Sequence, residues 1–263
     1  MNTWIRPERP LVIAHRGYSL AAPENTLPAY QKAIEAGADM VEMDINLTND
    51  GELVMIHDYF LERTTNGTGL VEEYSLEELK QLDAGHHFRP RLDAVPIPTA
   101  EETLRLIKEA DVYVCLEIKG GHTERACLIA EKVVQLIKKY QLFEKANVCS
   151  YFPEAVKLAK SLAPDLVTSR ERLPDDSTFE ISDAVRQAQE SGSPILLSDF
   201  KALKPGDIDD LHNAGIAMWT WNPFEPSDIE AVITQHTDGV MGDNPKVARD
   251  LVDHLSHSKE PKD

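Results

Sequence analysis

Short apolar runs and amphipathic stretches alternate along most of this chain. The apolar runs contain four to seven residues, a length typical of strands. They lie at 11–14, 40–45, 53–56, 112–118, 147–150, 166–169, 195–198, 216–220 and 238–242. Helical patterns separate most of them, for example at 25–36, 99–110, 123–140 and 226–235. Strands that alternate with helices in this way predict an α/β fold with a parallel sheet.

One apolar run breaks the alternation of strand and helix. Residues 45–56 (INLTNDGELVMI) place Asp50-Gly51 between alternating apolar positions, which is a strong hairpin signal. We therefore expect 53–56 to pair antiparallel with 40–47. Eight strands then remain, each followed by a helix. That count fits a TIM (β/α)8 barrel, although an open doubly wound sheet shares the same local pattern.

The length of the chain suits one large domain. It has 263 residues with 42% hydrophobic content, and α/β barrels commonly use about 250 residues. Residues 59–98 are irregular: a turn-rich TTNGTG, one helical stretch at 75–82 and a long loop. We predict a single TIM-barrel domain over 1–263, with a small inserted cap at about 59–98 after the strand of His57-Asp58.

Charged and titratable residues stand at the ends of several predicted strands. They are His15-Arg16, Glu42-x-Asp44, His57-Asp58, Glu117-x-Lys119 and Asp243. Because strand tips of a repeating strand–helix chain meet at one rim, we expect these groups to lie together. Two histidines, two cations and the three closely matched carboxylates Glu42, Asp44 and Glu117 at one rim predict metal-assisted phosphate chemistry.

The three carboxylates are the predicted metal site. Alternation along a strand puts Glu42 and Asp44 on one face, and Glu117 shares its face with Lys119. Unpaired buried carboxylates on neighbouring strands would repel strongly, and a divalent cation removes that cost. An all-oxygen set favours Mg²⁺ or Ca²⁺ over zinc. The alternative is a set of salt bridges, such as Glu117 with Arg16 or Lys119.

The remaining groups of the rim supply catalysis and substrate binding. His15 and His57 are the candidate acid and base, because histidine titrates near neutral pH. Arg16 offers a planar fork and Lys119 a point charge for phosphate oxygens. Trp219, at a strand end, is a candidate wall for the apolar or glycerol side of a substrate.

Composition limits the partners and the compartment. The net charge of -18 argues against nucleic acid and against broad binding to an anionic membrane. No run approaches 18 apolar residues, so no membrane span is predicted, and MNTWIRPERP contains no apolar segment of a secretory signal. The chain has three cysteines, Cys115, Cys127 and Cys149. Their odd number and their spacing, which matches no zinc motif, favour free thiols in a reducing cytoplasm.

Residues 15–58, HRGYSLAAPENTLPAYQKAIEAGADMVEMDINLTNDGELVMIHD, closely resemble the glycerophosphodiester phosphodiesterases. That family shows HRG, PENT, GAD-x-VE-x-D, T-x-DG and HD in this order and spacing. Weaker matches follow in the same order at RTTNGTG (63–69), IPTAEETL (97–104), LEIK (116–119), WTWN (219–222) and DGVMGDNP (238–245). The resemblance therefore covers nearly the whole chain.

The resemblance implies a TIM barrel with a small inserted cap, and it assigns roles by matching positions. Glu42, Asp44 and Glu117 would bind the divalent metal, His15 and His57 would be the acid/base pair, Arg16 and Lys119 would hold the phosphate, and Trp219 would line the substrate pocket. Glu24 and Asn25 of the PENT motif would bridge the site to the first helix.

The expected reaction is hydrolysis of a glycerophosphodiester to glycerol 3-phosphate and an alcohol. The nucleophile is either the neighbouring glycerol hydroxyl, which gives a cyclic phosphate first, or water. By analogy with related barrel phosphodiesterases, His15 is the base and His57 the acid. Choline, ethanolamine, glycerol and inositol are all compatible leaving alcohols. The alternatives are a lysophospholipase-D-like lipid phosphodiesterase on the same barrel and a non-catalytic phosphodiester-binding protein.

Overall fold

Nine strands form one sheet in this computed structural model, which describes residues 4–90, 93–172 and 180–257. They are β1 (Leu11–Ala14), β2 (Met40–Leu47), β3 (Leu53–Met55), β4 (Tyr113–Ile118), β5 (Ala146–Ser150), β6 (Val167–Glu171), β7 (Ile195–Asp199), β8 (Ala217–Trp221) and β9 (Gly239–Gly242). All except β3 are parallel, and β1 pairs with both β2 and β9, so the eight parallel strands close into a barrel. The predicted TIM barrel is confirmed, and the open sheet is excluded.

Helices follow the barrel strands and pack outside them, with one short exception. They are α1 (Leu27–Glu35), α2 (Leu76–Leu79), α3 (Ala100–Ala110), α4 (Thr123–Tyr140), α5 (Pro153–Leu162), α6 (Ile181–Ser191), α7 (Asp207–Asn213), α8 (Pro226–Thr234) and α9 (Pro245–His257). The exception is α2, which lies between β3 and α3. Within the described residues, none of these helices is long and apolar enough to cross a membrane.

The start of α1 differs from the sequence-based prediction, which began at residue 25. Asn25 has a φ of 55°, a left-handed conformation that a helix cannot include. Thr26 instead caps the helix, because its side chain accepts a hydrogen bond from the backbone N–H of Ala29. The amide side chain of Asn25 is thereby free to face the end of the barrel.

The predicted hairpin is confirmed. β3 runs antiparallel to β2, with Ile45 opposite Met55 and Leu47 opposite Leu53. The backbone N–H of Ile56 donates to Asp44 O at 3.1 Å, so the pairing continues toward His57. The hairpin therefore places His57 beside the carboxyl end of β2.

The chain between β3 and α3 has a small apolar cluster of its own. Its buried side chains include Leu61, Val71, Leu79 and Ile97, and they pack on Val54 of β3. The predicted helix at 75–82 is shorter than expected, since α2 spans only Leu76–Leu79. We call residues 59–98 the insertion. The shared cluster fixes the insertion to the strand that leads into His57.

Two apolar layers surround the strands. Outward-facing side chains such as Val41, Met43 and Ile45 pack against the helices. Inward-facing ones form the interior core, which includes Ile13, Met40, Cys115, Cys149, Leu197, Met241 and Trp219. This alternation turns Glu42 and Asp44 of β2 toward the barrel interior.

Candidate active site

Glu42, Asp44 and Glu117 form one buried carboxylate trio. β2 and β4 are neighbours, and their register places Asp44 directly beside Glu117. One carboxylate oxygen from each of the three residues lies within 4.8 Å of the others. All three side chains are buried, at 7% exposure or less. The structure thus brings together the three residues that the alternation pattern predicted as metal ligands.

Two cations neutralise part of the charge of the trio. Asp44 lies 3.0 Å from Lys119 Nζ and 3.2 Å from Arg16 Nε, and it accepts a hydrogen bond of 2.6 Å from Asn25 Nδ2. Lys119 also donates to Glu117. Burial acts to raise the pKa of Asp44, but Lys119 and Arg16 outweigh it and hold that pKa below its usual range. The salt-bridge alternative therefore accounts for Asp44 and for one oxygen of Glu117.

Glu42 is not accounted for by salt bridges. Its Oε2 accepts a 2.8 Å hydrogen bond from the backbone N–H of Arg16, while Oε1 is buried with no hydrogen-bond partner among the described residues. Burial, reinforced by the charges of Asp44 and Glu117, raises the pKa of Glu42 well above its usual range. A buried, unpartnered oxygen in an all-oxygen set is what a hard divalent cation such as Mg²⁺ or Ca²⁺ would satisfy.

The turn after β1 aims Arg16 at the trio. Arg16 has a φ of 56° and Gly17 a φ of 82°. A Cβ on Gly17 would lie 2.7 Å from the backbone of Ala29, so only glycine lets this turn pack against α1. The same turn points the backbone N–H of Arg16 at Glu42 and its guanidinium at Asp44.

Each candidate catalytic histidine has a carboxylate partner. His15 Nδ1 lies 2.7 Å from Asp243 Oδ1, and His57 Nδ1 lies 2.6 Å from Asp58 Oδ1. A carboxylate at Nδ1 favours the tautomer with its proton there, which leaves Nε2 to exchange a proton with a substrate. Burial lowers the pKa of His57, and Lys119 acts in the same direction.

Arg63 links the two sides of the site. Its guanidinium donates to both oxygens of Glu24 at 2.7 Å and to both oxygens of Asp58 at 2.5 and 3.2 Å. Glu24 in turn accepts from Arg16 at 2.9 Å, and Asp58 pairs with His57. Arg63 belongs to the insertion. In the sequence, Arg63 belongs to the family-like segment RTTNGTG, but nothing in that segment predicted a role for it in the site.

A second group that the sequence did not indicate lies beyond Lys119. Glu171 ends β6, is buried, and has an Oε2 without a hydrogen-bond partner among the described residues. Burial and the charge of Glu117 raise its pKa well above the usual range. Tyr151 hydrogen-bonds Glu171, and its ring centroid lies 5.4 Å from Lys119 Nζ. The apolar run at 166–169 predicted the strand but stopped short of this carboxylate.

Trp219 lies in the interior core. Its side chain is fully buried, and its ring centroid lies 6.1 Å from that of Trp4. Trp221, two residues further along β8, is partly exposed. The role of Trp219 in lining a substrate pocket therefore stays a prediction.

The chain is similar in sequence to known phosphodiesterases. The glycerophosphoryl diester phosphodiesterase family model matches residues 15–247. A glycerophosphodiester phosphodiesterase of Caldanaerobacter subterraneus is 36% identical over 243 residues, which cover 92% of this chain and 97% of that protein.

Solved structures agree with this match. A putative glycerophosphoryl diester phosphodiesterase from Silicibacter pomeroyi shares the fold, with a TM-score of 0.87 at 24% identity over 96% of each chain. An Oleispira antarctica phosphodiesterase, solved with its product sn-glycerol-3-phosphate, has a TM-score of 0.81 at 28% identity and covers 93% of this chain and 97% of its own. The chain therefore belongs to the glycerophosphoryl diester phosphodiesterase family, a family of hydrolases, as its motifs predicted.

Proposed function

We propose that the protein hydrolyses a glycerophosphodiester to glycerol 3-phosphate and an alcohol, using one divalent cation held by Glu42, Asp44 and Glu117. The observation that carries this proposal is the trio itself: three carboxylate oxygens within 4.8 Å, with Glu42 Oε1 still unpartnered among the described residues. The match to the family and its product-bound relative support the substrate class.

The cation and two side chains stabilise the phosphate. When bound, Mg²⁺ or Ca²⁺ supplies positive charge where negative charge develops on the phosphate oxygens. Arg16 and Lys119 already lie within 3.2 Å of Asp44, beside the trio. Their planar fork and point charge bind the oxygens of a phosphate placed there. These local charges offset the repulsion of an anion by a chain of net charge -18.

His15 and His57 move the protons. Nε2 of His15 takes the proton of the attacking hydroxyl as its oxygen bonds to phosphorus. Nε2 of His57 gives a proton to the alcohol oxygen as its bond to phosphorus breaks. Asp243 and Asp58 hold the two rings through Nδ1. The assignment of His57 as the acid follows the analogy with related barrel phosphodiesterases. Burial lowers the pKa of His57, which makes its imidazolium a stronger proton donor but a less abundant form at neutral pH.

The nucleophile is either the neighbouring hydroxyl of the glycerol group or a water molecule. With the glycerol hydroxyl the first product is a cyclic phosphate. Water then opens the cyclic phosphate with the histidines in reversed roles: His57, now neutral, is the base and His15 is the acid. Both routes end in glycerol 3-phosphate and the alcohol. The cyclic route returns each histidine to its starting state. After direct attack by water, His15 must release its proton to solvent and His57 must take one up before the next turnover.

The test is release of glycerol 3-phosphate from a panel of diesters, with and without a chelator. We expect no release after chelation and full recovery when Mg²⁺ or Ca²⁺ is restored. Binding of diesters without any release would establish a binding protein instead. Faster turnover of lysophospholipids than of the short diesters would establish the lipid phosphodiesterase.

We propose the cytoplasm as the working compartment and a small diester as the partner. Cys115, Cys127 and Cys149 are all free, and Cys115 and Cys149 are buried inside the barrel. Free thiols support a reducing compartment.

A further inference from the structure

A cavity of about 200 Å³ opens at the catalytic end of the barrel, beside the insertion. Asn46, in its wall, lies two residues after Asp44 and on the same face of β2. Tyr59, another wall residue, directly follows His57-Asp58, and Gly120-Gly121 extend from the end of β4. The segments that carry the trio and His57 thus continue into the walls of this cavity.

The apolar walls are held in place by the backbone. Tyr59 O accepts a 2.9 Å hydrogen bond from the N–H of Val71, and Phe60 forms an antiparallel bridge with Leu70. The ring of Tyr59 lies over Gly121, 3.7 Å from where a Cβ would stand. Although fixed in this way, Tyr59 and Phe60 remain 39% and 57% exposed, so their rings are available to a ligand.

Two polar side chains of the walls, Asn46 and Arg125, have donors engaged by other parts of the chain. Asn46 Nδ2 donates to Ile56 O at 3.0 Å. Arg125 donates to Leu47 O, and its Nε lies 3.3 Å from Glu72 Oε2. The engaged donors of Asn46 and Arg125 are less able to hydrogen-bond the hydroxyl oxygens of a polyol such as glycerol or inositol, which lowers the gain from binding one here.

We propose that this cavity is the subsite of the leaving alcohol and that it takes a trimethylammonium headgroup, as in glycerophosphocholine. The inference rests on the proposed function, in which His57 protonates the leaving alcohol. A trimethylammonium group carries no hydrogen-bond donor to satisfy, and aromatic faces attract it. Tyr59 and Phe60 supply those faces, and the acidic chain favours a cationic group over an anionic one.

The experiment compares kcat/KM for glycerophosphocholine and glycerophosphoglycerol on the metal-loaded protein. We expect the wild type to prefer the choline diester by about tenfold. Tyr59→Ala and Phe60→Ala each lower kcat/KM for the choline diester by about fivefold and leave the glycerol diester within about twofold. Tyr59→Phe, which keeps the ring, retains the preference. Phe224→Ala is the matched control, since Phe224 is 56% exposed and is not a wall residue.

The outcomes separate this inference from the proposed function. If the wild type cleaves no diester, the proposed function fails and the subsite fails with it. If the wild type cleaves both diesters equally well, or if the alanine variants lose both activities in parallel, the function stands and the subsite is overturned. A selective loss in Phe224→Ala equal to that in Phe60→Ala also overturns it. Both substituted rings are largely exposed, so the variants are expected to fold.

Discussion

Glu42 has a buried carboxylate oxygen for which the described part of the chain provides no hydrogen-bond partner. We expect Mg²⁺ or Ca²⁺ to raise the melting temperature of the wild type, because a cation bound only by the folded state stabilises it by about 2.7 kcal/mol at 100 times its Kd. Glu42→Gln removes one ligand and should abolish that rise. Differential scanning fluorimetry with and without the ion makes the measurement.

Glu171→Gln is the matched control for Glu42→Gln. Glu171 is also buried and also has an unpartnered oxygen among the described residues, but it lies outside the trio. It should keep the metal-induced rise in melting temperature. Loss of the rise in both variants would mean that the ion is not held by the trio.

The two histidines are expected to carry the proton transfers. His15→Ala and His57→Ala should each lower kcat by about 10²–10⁴. Circular dichroism should show an unchanged fold, and His254→Ala, at an exposed position of α9, should keep near-normal rates. A near-normal rate in either active-site variant would remove that histidine from the mechanism.

The position of a single site residue was predictable where the alternation along its strand fixed the face on which its side chain lies. Glu42, Asp44 and Glu117 share an inward face by period two, so the sequence could place them together. The pairing of His15 with Asp243 also follows once β9 lies beside β1. Glu171 was missed because a carboxylate at the end of a single strand carries no signal about its neighbours.

At the scale of elements, the insertion contributes Arg63 to the site as a positioning residue. Arg63→Ala should lower kcat by about tenfold and affect KM less, since both Asp58 and Glu24 lose a bidentate partner. Burial acts to raise the pKa of Asp58, and the hydrogen bond from Arg63 lowers it. Without Arg63 that pKa rises, so the acid limb of the pH–rate profile should move to higher pH.

Arg63→Lys distinguishes positioning from simple loss of structure. Lysine keeps the positive charge but cannot make the paired hydrogen bonds of a guanidinium. Compared with Arg63→Ala, this variant should therefore have a higher kcat and a smaller shift of the acid limb. An unchanged pH profile in Arg63→Ala, with kcat near the wild-type value, would contradict a positioning role.

Elements were predictable to different degrees. The strands, the hairpin and the long outer helices followed from period and turn chemistry, and their ends agree with the structure to within a few residues. The path of the insertion did not follow, because it depends on contacts such as Leu61 with β3 that no local pattern specifies. The reach of Arg63 to Glu24, 39 residues away in sequence, depends on that path.

At the scale of the whole molecule, Asp39 joins the first and last elements of the barrel. It accepts hydrogen bonds from Arg9 at 2.9 and 3.0 Å, from the backbone N–H of Val12 at 2.8 Å, and from Arg249 of α9. Asp39→Asn weakens several of these at once. We expect it to lower the free energy of unfolding by about 1–3 kcal/mol at pH 7, measured by urea denaturation.

The pH dependence of this effect has a definite sign. Burial acts to raise the pKa of Asp39, but Arg9, Val12 N–H and Arg249 lower it below the unfolded value of about 3.9. The stabilisation is therefore complete above that value and is lost as the pH falls through the folded pKa. The difference between Asp39→Asn and wild type should shrink toward pH 3. Asp253→Asn, which loses one exposed pair with Arg249, should stay within about 0.5 kcal/mol at every pH.

Closure of the barrel was the part of the architecture that local pattern could not decide. A barrel and an open sheet contain the same strand–helix units, and only the pairing of β1 with both β2 and β9 distinguishes them. In the sequence, it is the resemblance of the HRG-to-HD block to a known family that favours the barrel over the open sheet. The net charge of -18 limited the classes of binding partner and gave no information about the fold.

Trp4 packs against two other rings at one end of the barrel and closes that end. Its ring centroid lies 6.1 Å from that of Trp219 and 5.2 Å from that of Tyr113. Because side chains fill the interior, no channel runs through the described part of the barrel. A diester and its two products would therefore enter and leave at the opposite end of the barrel, where the carboxylate trio lies. A product that dissociates slowly from that end would compete with the incoming diester and lower the turnover rate.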